Sequence, residues 1–217
     1  MSEPFSSAQR ESLQVTLSTG LVELGLGAAH APTLLDYLAL LVRWNGTYNL
    51  TAIRDPADMV VKHLLDALSM HAHVRAGSLI DIGTGPGLPG IPLAIVRTDL
   101  HVSLVETAGK KARFLREAVR QLGLADRATV HACRAEQVDE SGQHDQLTAR
   151  ALGTLGEILR LGGHLLKPGG RLLAMKGRVP DDEIAALPPG YAVEQLVALR
   201  VPGLDAERHL VIVRKSH

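Results

Sequence analysis

The run Asp81-Ile82-Gly83-Thr84-Gly85-Pro86-Gly87-Leu88-Pro89-Gly90 concentrates residue types that hold a charged small molecule against backbone. An apolar stretch, Ser78-Leu79-Ile80, leads in, and a helix-like stretch from Pro89 to Arg97 leads out. Strand, glycine turn and helix start, in that order, hold nucleotide-type cofactors. Glycine at 83, 85 and 87 lets the backbone approach a ligand closely. A ligand carboxylate is expected near the N-terminus of the helix, where free N–H groups favour an anion. A dinucleotide fingerprint reads G-x-G-x-x-G, and Leu88 holds its sixth place. The pattern D-x-G-x-G-x-G instead puts Asp81 two residues before the first glycine. An acid there repels a pyrophosphate and suits a cation, such as the ammonium and sulfonium of S-adenosylmethionine. The alternative is a glycine turn that binds nothing.

A second acid, Glu106, ends the next apolar run 25 residues past Asp81, inside the region where a carboxylate meets ribose hydroxyls. Its two oxygens can accept from two vicinal hydroxyls, the alternative being a solvated cap before Gly109. Ala135-Glu136 follows the third run, in the loop that contacts adenine in such folds. The lone Cys133 before it reads as a small buried hydrophobe. The fourth run leads to Thr148-Ala149-Arg150-Ala151, where a substrate would face the cofactor. An Asn/Asp-Pro-Pro-aromatic motif for exocyclic amines is absent there, and so is a cysteine nucleophile with a partner acid. Arg150 beside a sulfonium is costly unless an anion lies between them, and a surface arginine is the alternative.

The elements that position these residues fall into two parts, residues 1–76 and 77–217. Leu34, Leu35, Leu38, Leu41 and Val42 recur at helical spacing after Pro32, and Gly46 is expected to end that helix. A second amphipathic stretch follows Asp55-Pro56, with Val60, Leu64, Leu65 and Leu68 on one face. Beyond Gly77, candidate strands are Ser78–Ile82, His101–Glu106, Ala128–Cys133, Asp145–Thr148 and Arg171–Met175. Helical runs Pro89–Arg97, Gly109–Leu122 and Leu155–Leu161 alternate with them, which predicts an α/β fold with a parallel, doubly wound sheet. Tyr191–Arg200 and Arg208–Arg214 read as two further strands joined through Val201-Pro202-Gly203-Leu204-Asp205. A mostly parallel seven-stranded sheet ending in an antiparallel hairpin is the Rossmann-like layout of class I methyltransferases, here with an N-terminal helical cap.

Bulk properties narrow the partners. With 217 residues and 46% hydrophobic content the chain suits a globular protein with a sizeable core. No apolar run approaches a membrane span, the polar start Met1-Ser2-Glu3-Pro4 is unlike a signal peptide, and one cysteine suits a reducing cytoplasm. Lys and Arg, at 23, balance Asp and Glu, at 23, and aromatics are only 3%, which counts against a broad basic or stacking surface for bare nucleic acid. His63, Asp66, His71 and His73 superficially suggest a metal site. Alternating histidines point apart on a helix and no Cys or Glu completes the set, so no metal is expected.

The chain resembles the bacterial ribosomal RNA small-subunit methyltransferase G family, also called the glucose-inhibited division protein B family. The resemblance covers nearly the whole chain. It lies in Trp44-Asn45 with Tyr48-Asn49-Leu50-Thr51, Lys62-His63-Leu64-Leu65-Asp66, and Asp81 through Pro92. It continues in Gly109-Lys110-Lys111 before Phe114-Leu115, Arg134-Ala135-Glu136, Arg150-Ala151, Lys176-Gly177 and Glu207-Arg208-His209-Leu210. The resemblance implies transfer of a methyl group from S-adenosylmethionine to N7 of one guanine in 16S ribosomal RNA. It also implies cofactor positions at Gly83, Leu88, Ala135, Glu136 and Arg150, with Glu106 where the family often has Asp. Guanine N7 exposes a lone pair and carries no proton, so the implied reaction needs positioning and no general acid or base.

Candidate RNA-facing groups are Asn49, His63, Lys110, Lys111, Lys176, Arg178 and Arg208. Arg113, Arg116 and Arg120 share a helix face with spacing i, i+3, i+7, which suits either phosphates or plain solvent. His63 and Asp66 are placed to bond each other, to orient a substrate or simply to pack. Trp44 and Tyr48 read as core rather than as a stacking pair. The resemblance implies 16S RNA within the small ribosomal subunit or its precursor as partner, and the neutral net charge favours such a folded particle over naked RNA; the oligomeric state is left open, with a monomer favoured. Two other functions stay open: a NAD-dependent oxidoreductase, opposed by Leu88 and Asp81, and a non-enzymatic RNA-binding or assembly factor, opposed by the intact glycine and acid set.

Overall fold

The computed structural model describes residues 4–216. Helix α1 (Ser7–Glu23) starts at Ser6, whose side chain accepts from the Gln9 amide. Helix α2 (Ala31–Tyr48) carries a proline in its first turn and buries Leu34, Leu35, Leu38 and Leu41 completely. Each such side chain contributes roughly 1.5–3 kcal/mol. The helix does not stop at Gly46 but runs on to Asn49, which closes it in the left-handed region at φ 51°, ψ 57°. Two local ties outweigh the roughly 1 kcal/mol penalty of an exposed helical glycine. Asn45 donates to the Ile53 carbonyl at 3.2 Å and accepts from the Thr51 amide at 2.9 Å, and the Trp44 and Tyr48 rings lie 5.3 Å apart.

Helix α3 (Pro56–Met59) begins at Asp55, which accepts from the Ala57 amide. It passes through a π-helical turn, Val60–Leu65, into α4 (Asp66–Leu68). This run buries His63 and Asp66 together with its leucines. The remaining order is β1 (Gly77–Ile82), α5 (Gly90–Val96), β2 (Leu100–Val105), α6 (Gly109–Gln121), β3 (Ala128–His131), β4 (His144–Arg150), α7 (Leu155–Gly162), β5 (Leu166–Lys176), α8 (Asp181–Ala185), β6 (Tyr191–Ala198) and β7 (His209–Lys215).

Among the described residues seven strands form one sheet in the order β3-β2-β1-β4-β5-β7-β6. β1 pairs in parallel with β2 and β4, and β7 lies antiparallel between β5 and β6. The strand order reverses beside β1, which opens a crevice at the carboxyl ends of β1 and β4. Alternation along the strands sends Leu79, Leu173, Leu210 and Ile212 into a cluster shared with α1, α2, α5 and α6. Ile80, Leu147, Leu172 and Val211 face the opposite cluster with α7.

The link from β6 to β7 is longer than a tight hairpin. Its Val201 and Pro202 are buried, and a Cβ on Gly203 would stand 3.4 Å from Val61 in the π-helical turn. That packing delivers Arg208 to the helical segment. No helix among the described residues is long and apolar enough to cross a membrane.

Candidate active site

The glycine loop is braced from below. Asp81 is the penultimate residue of β1 and has no solvent exposure. One of its oxygens, Oδ2, accepts from the Thr84 hydroxyl at 2.5 Å and from the Gly90 amide at 2.9 Å. The other, Oδ1, is buried without a hydrogen-bond partner among the described residues. Burial pushes the carboxyl up to about 7, against the pull of Thr84, Gly90 and Arg150. Asp81 therefore fills the anion position at the start of α5 that sequence reasoning reserved for a ligand carboxylate. Gly83 has φ +64° and Gly87 φ +101°, and a Cβ on Gly87 would come within 2.4 Å of Ile91. Only glycine fits a left-handed turn packed that closely. Leu88 turns inward at 2% exposure, and its amide donates to the Thr84 carbonyl at 3.0 Å. From α2, the buried Tyr37 hydroxyl donates to the Pro86 carbonyl at 2.8 Å, and burial raises its pKa far above the ordinary value.

Above the loop lies a cavity of about 300 Å³ lined by Gly83, Glu106, Cys133, Ala135, Glu136 and Leu152, among others. Glu106 is 7% exposed. Its Oε2 accepts from the Gly85 amide at 3.0 Å and its Oε1 from the Ala108 amide at 2.8 Å. Each oxygen keeps capacity for a further donor. Ala135 and Glu136 sit on a single 3-10 turn, Ala135–Gln137. The remaining lining is largely apolar, with Ile82, Val105 and Leu161. Apolar walls, one fixed carboxylate and a glycine turn fit a nucleoside with free vicinal hydroxyls. Leu152 escaped sequence reasoning: its side chain rests over Gly83, 2.6 Å from where a Cβ would stand. The neighbouring Ala151 takes φ +54°, a conformation that composition does not announce.

A second cavity, of about 590 Å³, is lined by Lys62, His63, Asp66, Arg150, Lys176 and Arg208, among others. Arg150 thus belongs to this cavity and not to the one lined by Glu106. Nη1 of Arg150 donates to the Asp66 carboxylate at 3.0 Å and to the Lys62 carbonyl at 3.2 Å. Asp66 bonds arginines rather than His63. His63 Nδ1 lies 3.2 Å from the Lys62 carbonyl, which can only accept, so that nitrogen carries the proton. Nε2 then accepts from the Thr51 hydroxyl at 2.9 Å. Burial, reinforced by Arg150, pushes the imidazole down to about 4, so it stays neutral. Lys176 reaches the Gly153 carbonyl at 2.8 Å and Glu183 at 2.7 Å. Glu183 also accepts from the Leu155 amide at 2.7 Å, another contact with no local sequence signal.

The other candidates lie outside the two cavities. Asn49 is exposed at the end of α2 and accepts from Arg54 at 2.5 Å. Lys110 and Arg113 on α6 stand over the Tyr48 ring, at 5.9 and 6.0 Å from its centre. Trp44 bridges Tyr48 and Phe114, so this aromatic group is half core and half surface. Lys111 is half-buried, and Arg120 is taken by Glu117 at 2.8 Å. Arg178 is exposed on the loop between β5 and α8. Among the described residues no cluster of His, Cys, Asp or Glu is arranged to hold a metal ion.

A reversing parallel sheet closed by an antiparallel pair, a glycine turn after β1 and an acid after β2 define a class I S-adenosylmethionine-dependent methyltransferase. Solved structures share this fold. The chain is similar to a SAM-dependent methyltransferase from Aquifex aeolicus, with TM-score 0.56 and 16% identity over 77% of this chain and 97% of that one. It is also similar to P. horikoshii TYW2 in complex with MeSAdo, with TM-score 0.54 and 16% identity over 70% of this chain and 62% of that one. The family model described as rRNA small subunit methyltransferase G matches residues 30–211. The chain is 64% identical over 202 residues to the Ribosomal RNA small subunit methyltransferase G of Stenotrophomonas maltophilia (strain K279a), covering 93% of this chain and 95% of that protein. It belongs to the rRNA small subunit methyltransferase G family.

Proposed function

We propose that this enzyme methylates N7 of one guanine in 16S ribosomal RNA, acting in the cytoplasm as a monomer on the small subunit or its precursor. S-adenosylmethionine, when bound, supplies an electrophilic methyl group. In this reading Glu106 receives the ribose hydroxyls, and Ala135 and Glu136 border the adenine. Backbone at Gly83, Gly85, Gly87 and Leu88 shapes the turn, and Arg150 meets the carboxylate. Asp81 serves from beneath by fixing the turn to α5. Residues 1–76 act as a cap on a 77–217 core.

The observation that carries this reading is a basic cavity beside the Glu106 cavity whose imidazole and carboxylate, among the described residues, are both already hydrogen-bonded within the protein. His63 Nε2 is engaged by Thr51, and Asp66 is engaged by two arginines. Attack by guanine N7 removes no proton and needs neither group as a base. An exocyclic amine would need one. What the chain supplies is alignment: reacting atoms held ~3–3.5 Å apart. Lys176, Arg178 and Arg208 flank the cavity and receive phosphates. Lys110, Lys111 and Asn49 extend the same contact along the α2–α6 face.

The test is transfer of tritium from labelled S-adenosylmethionine to small subunits purified from cells lacking this enzyme, followed by nucleoside mass analysis. Label is expected in 7-methylguanosine of 16S RNA. Label in another nucleoside, or efficient transfer to short naked oligonucleotides in preference to subunits, would overturn the reading.

A further inference from the structure

Asp66 sits where three distant chain segments meet. It opens α4, Arg150 ends β4, and Arg208 immediately precedes β7. Its side chain is 5% exposed. Each oxygen serves a different arginine: Oδ2 accepts from Arg150 Nη1 at 3.0 Å and Oδ1 from Arg208 Nε at 2.7 Å. The remaining Arg208 contact is from Nη1 to the Glu207 carbonyl at 2.8 Å. Among the described residues, Nε and Nη2 of Arg150 and Nη2 of Arg208 have no protein acceptor, and both side chains line the larger cavity. A single carboxylate thus holds two guanidiniums together, leaves one positive charge in excess and keeps donors free for anions. A buried carboxylate in such a triad is weak evidence of added stability, because desolvation offsets much of the attraction. Its more informative effect is geometric, since guanidiniums present donors in a rigid fork.

We propose that Asp66 is a positioning residue for the methyl transfer. It sets Arg150 and Arg208 side by side, so that the cofactor carboxylate and an RNA phosphate are received at a fixed separation. This rests on the function proposed above. Asp66 touches neither reacting atom and moves no proton.

The experiment compares wild type, D66N, R208Q, the double variant and D66E in single-turnover transfer of labelled methyl to small subunits, with cofactor binding followed by calorimetry. D66N is expected to slow transfer by about tenfold or more, the scale of a small misplacement of reactants. The double variant is expected to be no slower than the slower single, because both changes break one shared pairing. Losses that multiply would overturn the proposal. D66E keeps the charge and both partners but moves them by one methylene. It is expected to melt near wild type and still transfer slowly, and full-rate transfer by folded D66E would also overturn the proposal. Wild-type protein that labels no RNA would remove the function reading, and this proposal with it. A labelled wild type beside full-rate variants would remove this proposal alone.

Discussion

Two of the buried titratable groups at the site, Asp81 and His63, pull stability in opposite directions as pH changes, and separating them tests the geometry directly. Asp81 is raised from 3.8 to about 7 by burial. Its contribution is fully present below its unfolded value and is lost as pH rises through the folded one. His63 is lowered from 6.5 to about 4 by burial and then by Arg150. Its contribution is present above the unfolded value and is lost as pH falls toward the folded one. By linkage, each group changes stability by on the order of 2 kcal/mol between about pH 5 and pH 6.5. In wild type the two changes nearly cancel. D81N should therefore gain stability relative to wild type as pH rises across that window, and H63Q should lose it by a similar amount. Urea unfolding followed by the single Trp44 and by far-ultraviolet circular dichroism reads both differences. Background carboxylates drop out because only differences from wild type are used. Two variants whose stabilities run parallel to wild type across the window would refute the burial argument for both groups.

E106A should weaken S-adenosylmethionine binding by ~1.5–3 kcal/mol, the scale of lost charge-assisted hydrogen bonds, with calorimetry as the readout. G87A forces a left-handed residue and a Cβ 2.4 Å from Ile91 into the loop. Strain of that kind costs ~1–3 kcal/mol, so its urea midpoint should fall, and an unchanged midpoint would contradict the packing described. T154A removes the hydroxyl that accepts from the Glu157 amide at the start of α7. It should lower stability by about 1 kcal/mol. K110A should reduce the salt dependence of subunit binding by about one unit of slope while leaving base choice unchanged, as measured by filter binding across a salt series.

The strand–turn–helix around Asp81 and the acid at 106 were legible because their signals are local. Three glycines, a preceding acid and an apolar run lie within a few residues of one another. The alternation after Gly77 disclosed the parallel sheet for the same reason. What stayed hidden depends on burial and on contacts far apart in the chain. Asp81 reads as a ligand-facing acid until its lack of exposure and its bond to Gly90 show it closing the helix start. Gly46 reads as a helix stop until Asn45 is seen anchoring the next turn through Thr51 and Ile53. Arg150 reads from sequence as either facing the sulfonium or lying on the surface, yet its partner Asp66 lies on a helix 84 residues earlier. The Asp66–Arg208 contact spans 142 residues, and no periodicity encodes it. Leu152 and Glu183 belong to short irregular segments whose placement follows from the strands they connect.

The position of β7 has a consequence for when the enzyme becomes competent. Among the described residues that strand follows every other element, yet it lies inside the sheet, between β5 and β6. Arg208 stands just before it. A nascent chain that has emerged only through β6 already possesses the glycine turn, Glu106 and the helical cap. It lacks the interior strand that seals β5, and it lacks the second arginine that Asp66 holds. The cavity lined by Arg150 and Arg208 is therefore complete only once the segment carrying Arg208 and β7 has been made and inserted.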